Sequence, residues 1–150
     1  VIEHALDWII KTEGKPRIVA MLQVTTPLRT ATDIDSAIQR LQHSTSAQSV
    51  VSVSEFLIPP LWSVKKNEDG FLTAYFEPDV LWKNTIPRSQ DLPDVKHPNG
   101  AVFAATVDAF YDQHSFYTDR TLEYEMPPER SIDIDEPFEL EIARALIRDE

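Results

Sequence analysis

The sequence predicts an α/β fold, a mostly parallel sheet flanked by helices, and three observations carry that reading. Residues 1–56 alternate helix, strand, helix, strand, the rhythm of a doubly wound sheet. Residues 18–24 (IVAMLQV) form a nearly continuous apolar run, as in a strand buried on both faces beneath helices. A further apolar strand, 101–107, brings regular structure back in the second half.

The elements follow in order. Ile2, Leu6, Ile9 and Ile10 share one helical face, and Gly14 with Lys15-Pro16 stops that helix. After the strand at 18–24, Thr25-Thr26-Pro27-Leu28-Arg29 makes a turn. Thr32 with Asp35 three residues on predicts an N-cap, and Ile34, Ala37, Ile38 and Leu41 supply the core face of the helix that follows. Residues 50–56 read as a second strand. Pro59-Pro60 then breaks the rhythm, and Asn67-Glu68-Asp69-Gly70 between apolar flanks predicts a β-hairpin. Residues 77–100, with several prolines and little periodicity, read as an extended excursion. Asp108 predicts the cap of a short helix running to His114, and Leu122, Tyr124 and Met126 alternate with acids as in a half-exposed strand. Residues 131–135 read as a short strand. Pro137 opens a last helix, where its missing N–H costs nothing, with Phe138, Ile142, Ala145 and Leu146 facing inward.

Composition narrows the function. The chain has 150 residues, one domain's worth, and 42% apolar content is enough for a core. With 25 acids against 14 bases, a net charge of −11 argues against a nucleic-acid backbone or an anionic membrane as partner. It leaves room for a nucleotide, whose phosphates a few bases or a divalent cation can neutralise. There is no cysteine, so disulfides and thiolate metal sites are excluded, and the four histidines lack zinc-motif spacing. No apolar run reaches the roughly 20 residues that span a bilayer, and no signal-peptide pattern opens the sequence, so a cytoplasmic protein is expected. The opening Val1-Ile2-Glu3-His4 lies already inside a helical pattern, which reads as a chain cut or encoded as a fragment.

Four constellations can carry chemistry. In Ser131-Ile132-Asp133-Ile134-Asp135, strand geometry places Asp133 and Asp135 on one face, with both isoleucines toward the core. Two convergent carboxylates suit Mg²⁺, which takes one or two acids together with substrate phosphates. The other reading is a solvated edge strand in which Asp135 caps the last helix. Gln23 and Arg29 sit where a buried strand ends and a helix begins, the place where open α/β sheets bind ligands. Gln23 can donate and accept, and Arg29 can pair with a phosphate or carboxylate, or simply lie on a surface turn. Lys96-His97-Pro98-Asn99-Gly100 is first a turn leading into the strand at 101; its functional version sets His97 or Lys96 beside an acidic substrate. Phe116-Tyr117 is an aromatic pair between elements, suited to a core, an interface or a ligand.

Taken in order, Leu22-Gln23-Val24-Thr25-Thr26-Pro27-Leu28-Arg29, Arg88-Ser89-Gln90-Asp91-Leu92-Pro93, Pro98-Asn99-Gly100-Ala101 and the run Met126 to Asp135 resemble the acylneuraminate cytidylyltransferases, the CMP-sialic acid synthetases. The resemblance covers essentially the whole chain and looks like the C-terminal two-thirds of a family member. It implies a partial Rossmann-like nucleotidyltransferase fold in a single domain over 1–150, with residues 57–100 as a dimerisation excursion. It also implies transfer of CMP from CTP to a nonulosonic acid such as a sialic acid, releasing pyrophosphate, and a homo-oligomer. By the same resemblance Asp133 and Asp135 hold Mg²⁺ and are the catalytic pair. Gln23 contacts the sugar, and Phe116-Tyr117 lies near a sugar pocket shared between subunits; Arg29, His97 and Asn99 are further substrate-binding candidates beside these. The family's glycine-, arginine- and lysine-rich loop for the triphosphate has no counterpart, since the only glycines are Gly14, Gly70 and Gly100. These 150 residues alone are therefore expected to be inactive. His97 stands where the family usually has arginine, and Lys96 where it has an aromatic. Two alternatives are a non-catalytic binding or interaction protein on the same scaffold and a fragment of an intact, active synthetase.

Overall fold

A computed structural model of the chain describes residues 1–82 and 87–148. Lys83, Asn84, Thr85 and Ile86, within the proline-rich excursion, lie outside the described residues. The chain divides into two compact units, one made of Val1–Ser54 with Pro98–Glu150 and the other of Glu55–His97.

The first unit is an α/β sheet with helices on both faces, compatible with part of a Rossmann-like fold. Its strands are β1 (Ile18–Met21), β2 (Ser49–Glu55), β5 (Lys96–Thr106) and β6 (Thr121–Glu125), in the order β1-β5-β2-β6. Its helices are α1 (Ile2–Thr12), α2 (Ala31–His43), α3 (Val107–Gln113) and α4 (Pro137–Arg148). Alternation along β5 divides the core. Phe103 and Ala105 join Val51, Leu6, Phe110 and Phe116 on one face, while Val102 and Ala104 join Val50, Ala37 and Leu41 on the other.

The sheet is less parallel in its pairing than the apolar runs predict. β2 and β6 are parallel, with Ser49 opposite Thr121 and Val53 opposite Glu125. β1 is antiparallel to β5, with Ile18 opposite Thr106 and Met21 opposite Phe103. Thr106 N–H donates to Gln48 O at 2.9 Å and Val102 N–H to Ser52 Oγ at 2.7 Å, so β5 also runs against β2. The run 18–24 is thus an edge strand of four residues that is mostly half-buried, not a central strand buried on both faces. An apolar run states that a strand needs cover but not which way its neighbour runs.

Several boundaries move for identifiable reasons. The cap of α2 is Thr30, two residues before the expected Thr32, because Asp33 supplies the same Thr-x-x-Asp spacing. Thr30 N–H donates to Asp33 Oδ2 at 2.9 Å, and Asp33 N–H to Thr30 Oγ1 at 3.2 Å. Thr106, rather than Asp108, caps α3 by accepting from Ala109 N–H at 3.3 Å. The Asn-Gly pair lies inside β5, with Gly100 at φ +75°, and does not form a turn. Residues 131–134 form no strand; they follow a one-turn 3₁₀ segment at Pro128–Arg130, and both isoleucines there are half-buried. Along α4, Ala143 is buried, whereas Phe138 and Ala145 are exposed.

The second unit contains the predicted hairpin, β3 (Val64–Lys66) against β4 (Leu72–Ala74), with Gly70 at φ +91° in the connection. Asn67 holds that turn, its Oδ1 accepting from Phe71 N–H at 2.8 Å. No helix among the described residues is long and apolar enough to cross a membrane.

Candidate functional site

The sheet unit gathers several of the predicted residues at one end. There β1 and β6 finish, β5 passes through Asn99 and Gly100, and the segment 131–135 leads on to α4. Ile134 N–H donates to Thr25 O at 2.8 Å, which ties that segment to the turn following β1. Open α/β sheets bind ligands where strands end in this way.

Gln23 lies against Gly100. A Cβ at position 100 would fall 2.1 Å from Gln23 Oε1, so glycine serves both this approach and its own positive φ. Thr26, fully buried, donates through Oγ1 to Gln23 O at 3.1 Å. Arg29 closes the turn, its Nη1 donating to Gln23 O at 2.5 Å, Thr26 O at 2.7 Å and Thr26 Oγ1 at 2.8 Å. That nitrogen shapes the loop that presents Gln23, a task the sequence did not suggest for it.

Asn99 is 2% exposed and sits in a buried polar chain. Ser52 Oγ donates to Asn99 Oδ1 at 2.6 Å, and Ala101 N–H donates to the same oxygen at 3.1 Å. Asn99 Nδ2 donates to Ser131 Oγ at 2.8 Å, and Ser131 donates on to Pro127 O at 2.9 Å.

Asp133 and Asp135 differ in their surroundings. Oδ1 of Asp133 is buried and has no hydrogen-bond partner, a costly condition that a cation or a bound water would relieve. Asp135 is exposed, and the backbone amides of Asp135 and Glu136 donate to Glu139 Oε2 at 2.8 and 2.7 Å. Glu139, on the first turn of α4, thus takes the capping role considered for Asp135. Among the described residues no group of three or more histidine or acidic side chains is placed to hold a metal. A Mg²⁺ ion here would draw on two carboxylates at most and complete its shell with phosphate and water, its usual habit. The orphaned oxygen of Asp133 fits that donor set.

The remaining residues have different surroundings. Phe116 is 6% exposed, packed in the core against Phe110 and Phe103 with ring centroids 5.0 and 6.0 Å apart. Tyr117 is exposed, edge-on to Phe103 at 6.2 Å, on a concave apolar surface with Ile2, Met21 and His114. His97 belongs to the second unit, where its ring lies 4.9 Å from that of Phe56.

Sequence reasoning overlooked Asp33. Its side chain is 1% exposed and accepts both Arg130 Nε and Nη2 at 3.0 Å, besides Thr30 and, at 3.2 Å, Tyr124 Oη. Burial pushes its carboxyl up, but the hydrogen bonds from Arg130 and Thr30 outweigh it and bring the pKa down to about 2. The available signal was the Thr-x-x-Asp box at 30–33, which was placed two residues late. The hydroxyls of Ser52 and Ser131 were missed as well, since serines in strand and loop patterns resemble solvent-facing positions.

No protein-family model matches the chain. Among curated proteins, the N-acylneuraminate cytidylyltransferase of Streptococcus agalactiae serotype V is 33% identical over 129 residues, 86% of this chain and 30% of that protein. The enzyme of the same name from Escherichia coli O18:K1:H7 is 31% identical over 144 residues, 95% of this chain and 32% of that protein. The chain therefore spans about a third or less of the length of these relatives, a smaller share than the two-thirds expected from its motifs. Along nearly all of its residues, this chain is a homologue of a segment of the N-acylneuraminate cytidylyltransferases.

Proposed function

We propose that this chain contributes the metal and sugar side of a CMP-sugar synthetase site. The reaction transfers CMP from CTP to a nonulosonic acid such as a sialic acid. The sugar hydroxyl attacks the α-phosphorus, the bond to the β-phosphate oxygen breaks, and pyrophosphate leaves. The observation that supports this most is the buried, unpartnered Oδ1 of Asp133 at the end of the sheet, in a chain homologous to these enzymes. Asp133 and Asp135 would hold Mg²⁺, which when bound offsets charge on the phosphates. Gln23, steadied by the Arg29 turn, would offer its amide to the sugar, and Tyr117 its exposed ring. The reading places the protein in the cytoplasm, where nucleoside triphosphates are held.

A homo-oligomer belongs to the same proposal. Leu57, Ile58, Phe71, Leu72 and Tyr75 of the second unit are all exposed, apolar surface that a second copy would cover. A species sedimenting as a monomer at micromolar concentration would remove this part.

Turnover needs the triphosphate aligned for in-line attack. These 150 residues contain no glycine- and base-rich loop for that task, so we expect the chain by itself to bind without turning over. Isothermal titration with CTP, CMP and N-acetylneuraminate, with and without Mg²⁺, tests the reading. We expect Mg²⁺-dependent CTP binding that weakens about tenfold or more in Asp133→Asn. Absence of binding to all three would end the catalytic reading. Binding that ignores both Mg²⁺ and Asp133→Asn would support the second reading, a binding protein on the same scaffold, which the departures at Lys96 and His97 favour.

A further inference from the structure

We infer that Asn99 is a positioning residue: by joining Ser131 to the middle of the sheet, it fixes where the Asp133 carboxylate stands. The inference rests on the proposed role of Asp133 and adds to it a residue acting through another. Asn99 is buried, and both ends of its amide are engaged by the protein, Oδ1 by Ser52 and Ala101 and Nδ2 by Ser131. Because Ala101 N–H can only donate, the atom facing it must be the oxygen, which aims Nδ2 at Ser131. An aspartate here would lack the donor, and an apolar side chain would lack both functions.

The segment 131–135 belongs to no strand and has two tethers to the sheet end. Ser131 is held through Asn99, and Ile134 N–H is held by Thr25 O at 2.8 Å. Asp133 lies between them. With Oδ1 unpartnered, the carboxylate takes its place from the backbone on either side and not from bonds at that oxygen. A ligand oxygen fixed in this way needs its supporting shell, and loss of such a partner commonly costs about 10–100-fold in metal affinity. Ser52 completes the relay: buried in β2, it donates to Asn99 while accepting Val102 N–H, so the tether ends on the two central strands.

The test compares Asn99→Ala, Ser131→Ala and Ser131→Thr with the parent chain, reading amide hydrogen exchange by NMR and Mn²⁺ affinity by paramagnetic broadening. Ser49→Ala serves as a control, since it strips a buried hydroxyl at the start of β2, bonded to Thr118 and Thr121. We expect the Ile134 amide to exchange about fivefold to tenfold faster in Asn99→Ala and Ser131→Ala while β5 amides hold. Mn²⁺ affinity should fall about tenfold or more, return in Ser131→Thr, and stay unchanged in Ser49→Ala. Unchanged Ile134 protection overturns the inference, as does faster exchange with parental Mn²⁺ affinity, which would leave Asn99 a purely structural residue. If the parent shows no Mn²⁺ broadening near Asp133 while the exchange pattern holds, the tether stands and the metal reading of the site falls. Should Asn99→Ala fail to fold, the Ser131 pair carries the same comparison.

Discussion

The two units of this chain are built on different principles. In the sheet unit, the strands place one apolar set on each face, helices cover both, and most buried polar groups find partners. The described part of residues 55–97 holds one short hairpin, and among its apolar side chains only Val80 is buried; Leu57 is 85% exposed and Phe71 70%. A unit that closes its own core depends on internal packing for stability. One that leaves its apolar side chains outside depends on whatever else covers them.

Side-chain truncation sharpens the contrast most. Phe110→Ala, in the cluster with Phe103 and Phe116, should cost about 3–5 kcal/mol in denaturant unfolding. Phe71→Ala should stay within about 0.5 kcal/mol when no partner is bound. Equal losses would show that residues 55–97 carry a core of their own and would erase the distinction.

An effect of intermediate size comes from Asp33, the charge held inside the sheet unit. Its carboxyl is lowered from 3.8 to about 2, so its contribution is fully present above the unfolded value and lost as pH falls toward 2. That difference corresponds to about 2 kcal/mol. Asp33→Asn should therefore be less stable by about that amount at pH 6, with the gap closing as the pH approaches 2. A gap that does not change with pH would mean that the pair acts through shape and not through charge.

The smallest effect is expected at the site end of the sheet. Gly100→Ala should cost about 1–2 kcal/mol for its left-handed φ and displace the Gln23 amide, visible as a shifted side-chain NH₂ resonance. If Gln23 does not move, the close approach is not what reserves this position for glycine.

Much of the fold could be read from periodicity because helices and half-exposed strands print their faces on the sequence. Ala37 and Leu41 are buried as the helical spacing requires, and Leu122 and Tyr124 alternate with exposed Glu123 and Glu125. Strand direction could not be read, since β1 has the same apolar run whether its neighbour is parallel or antiparallel. Residues 131–135 misled for a related reason. Alternation suggested a strand, but Ile134 N–H is spent on Thr25 O outside any ladder. Of the site, the end of the sheet with Gln23 and the Asp133 segment was legible from motifs and position. The Ser52–Asn99–Ser131 relay was not, because it joins three distant stretches of chain through hydrogen bonds that no local pattern encodes.

Asp33 has a consequence for how the sequence can drift. Its carboxylate is shared by the α2 cap, Tyr124 on β6 and Arg130 just before the 131–135 segment, so those positions do not vary independently. Replacing Arg130 alone would strand a buried anion, whereas replacing Asp33 alone would leave a half-exposed cation, the cheaper error. Viable lineages would accordingly lose the acid first and the arginine afterwards, and in an alignment of relatives the pair would change together, in that order.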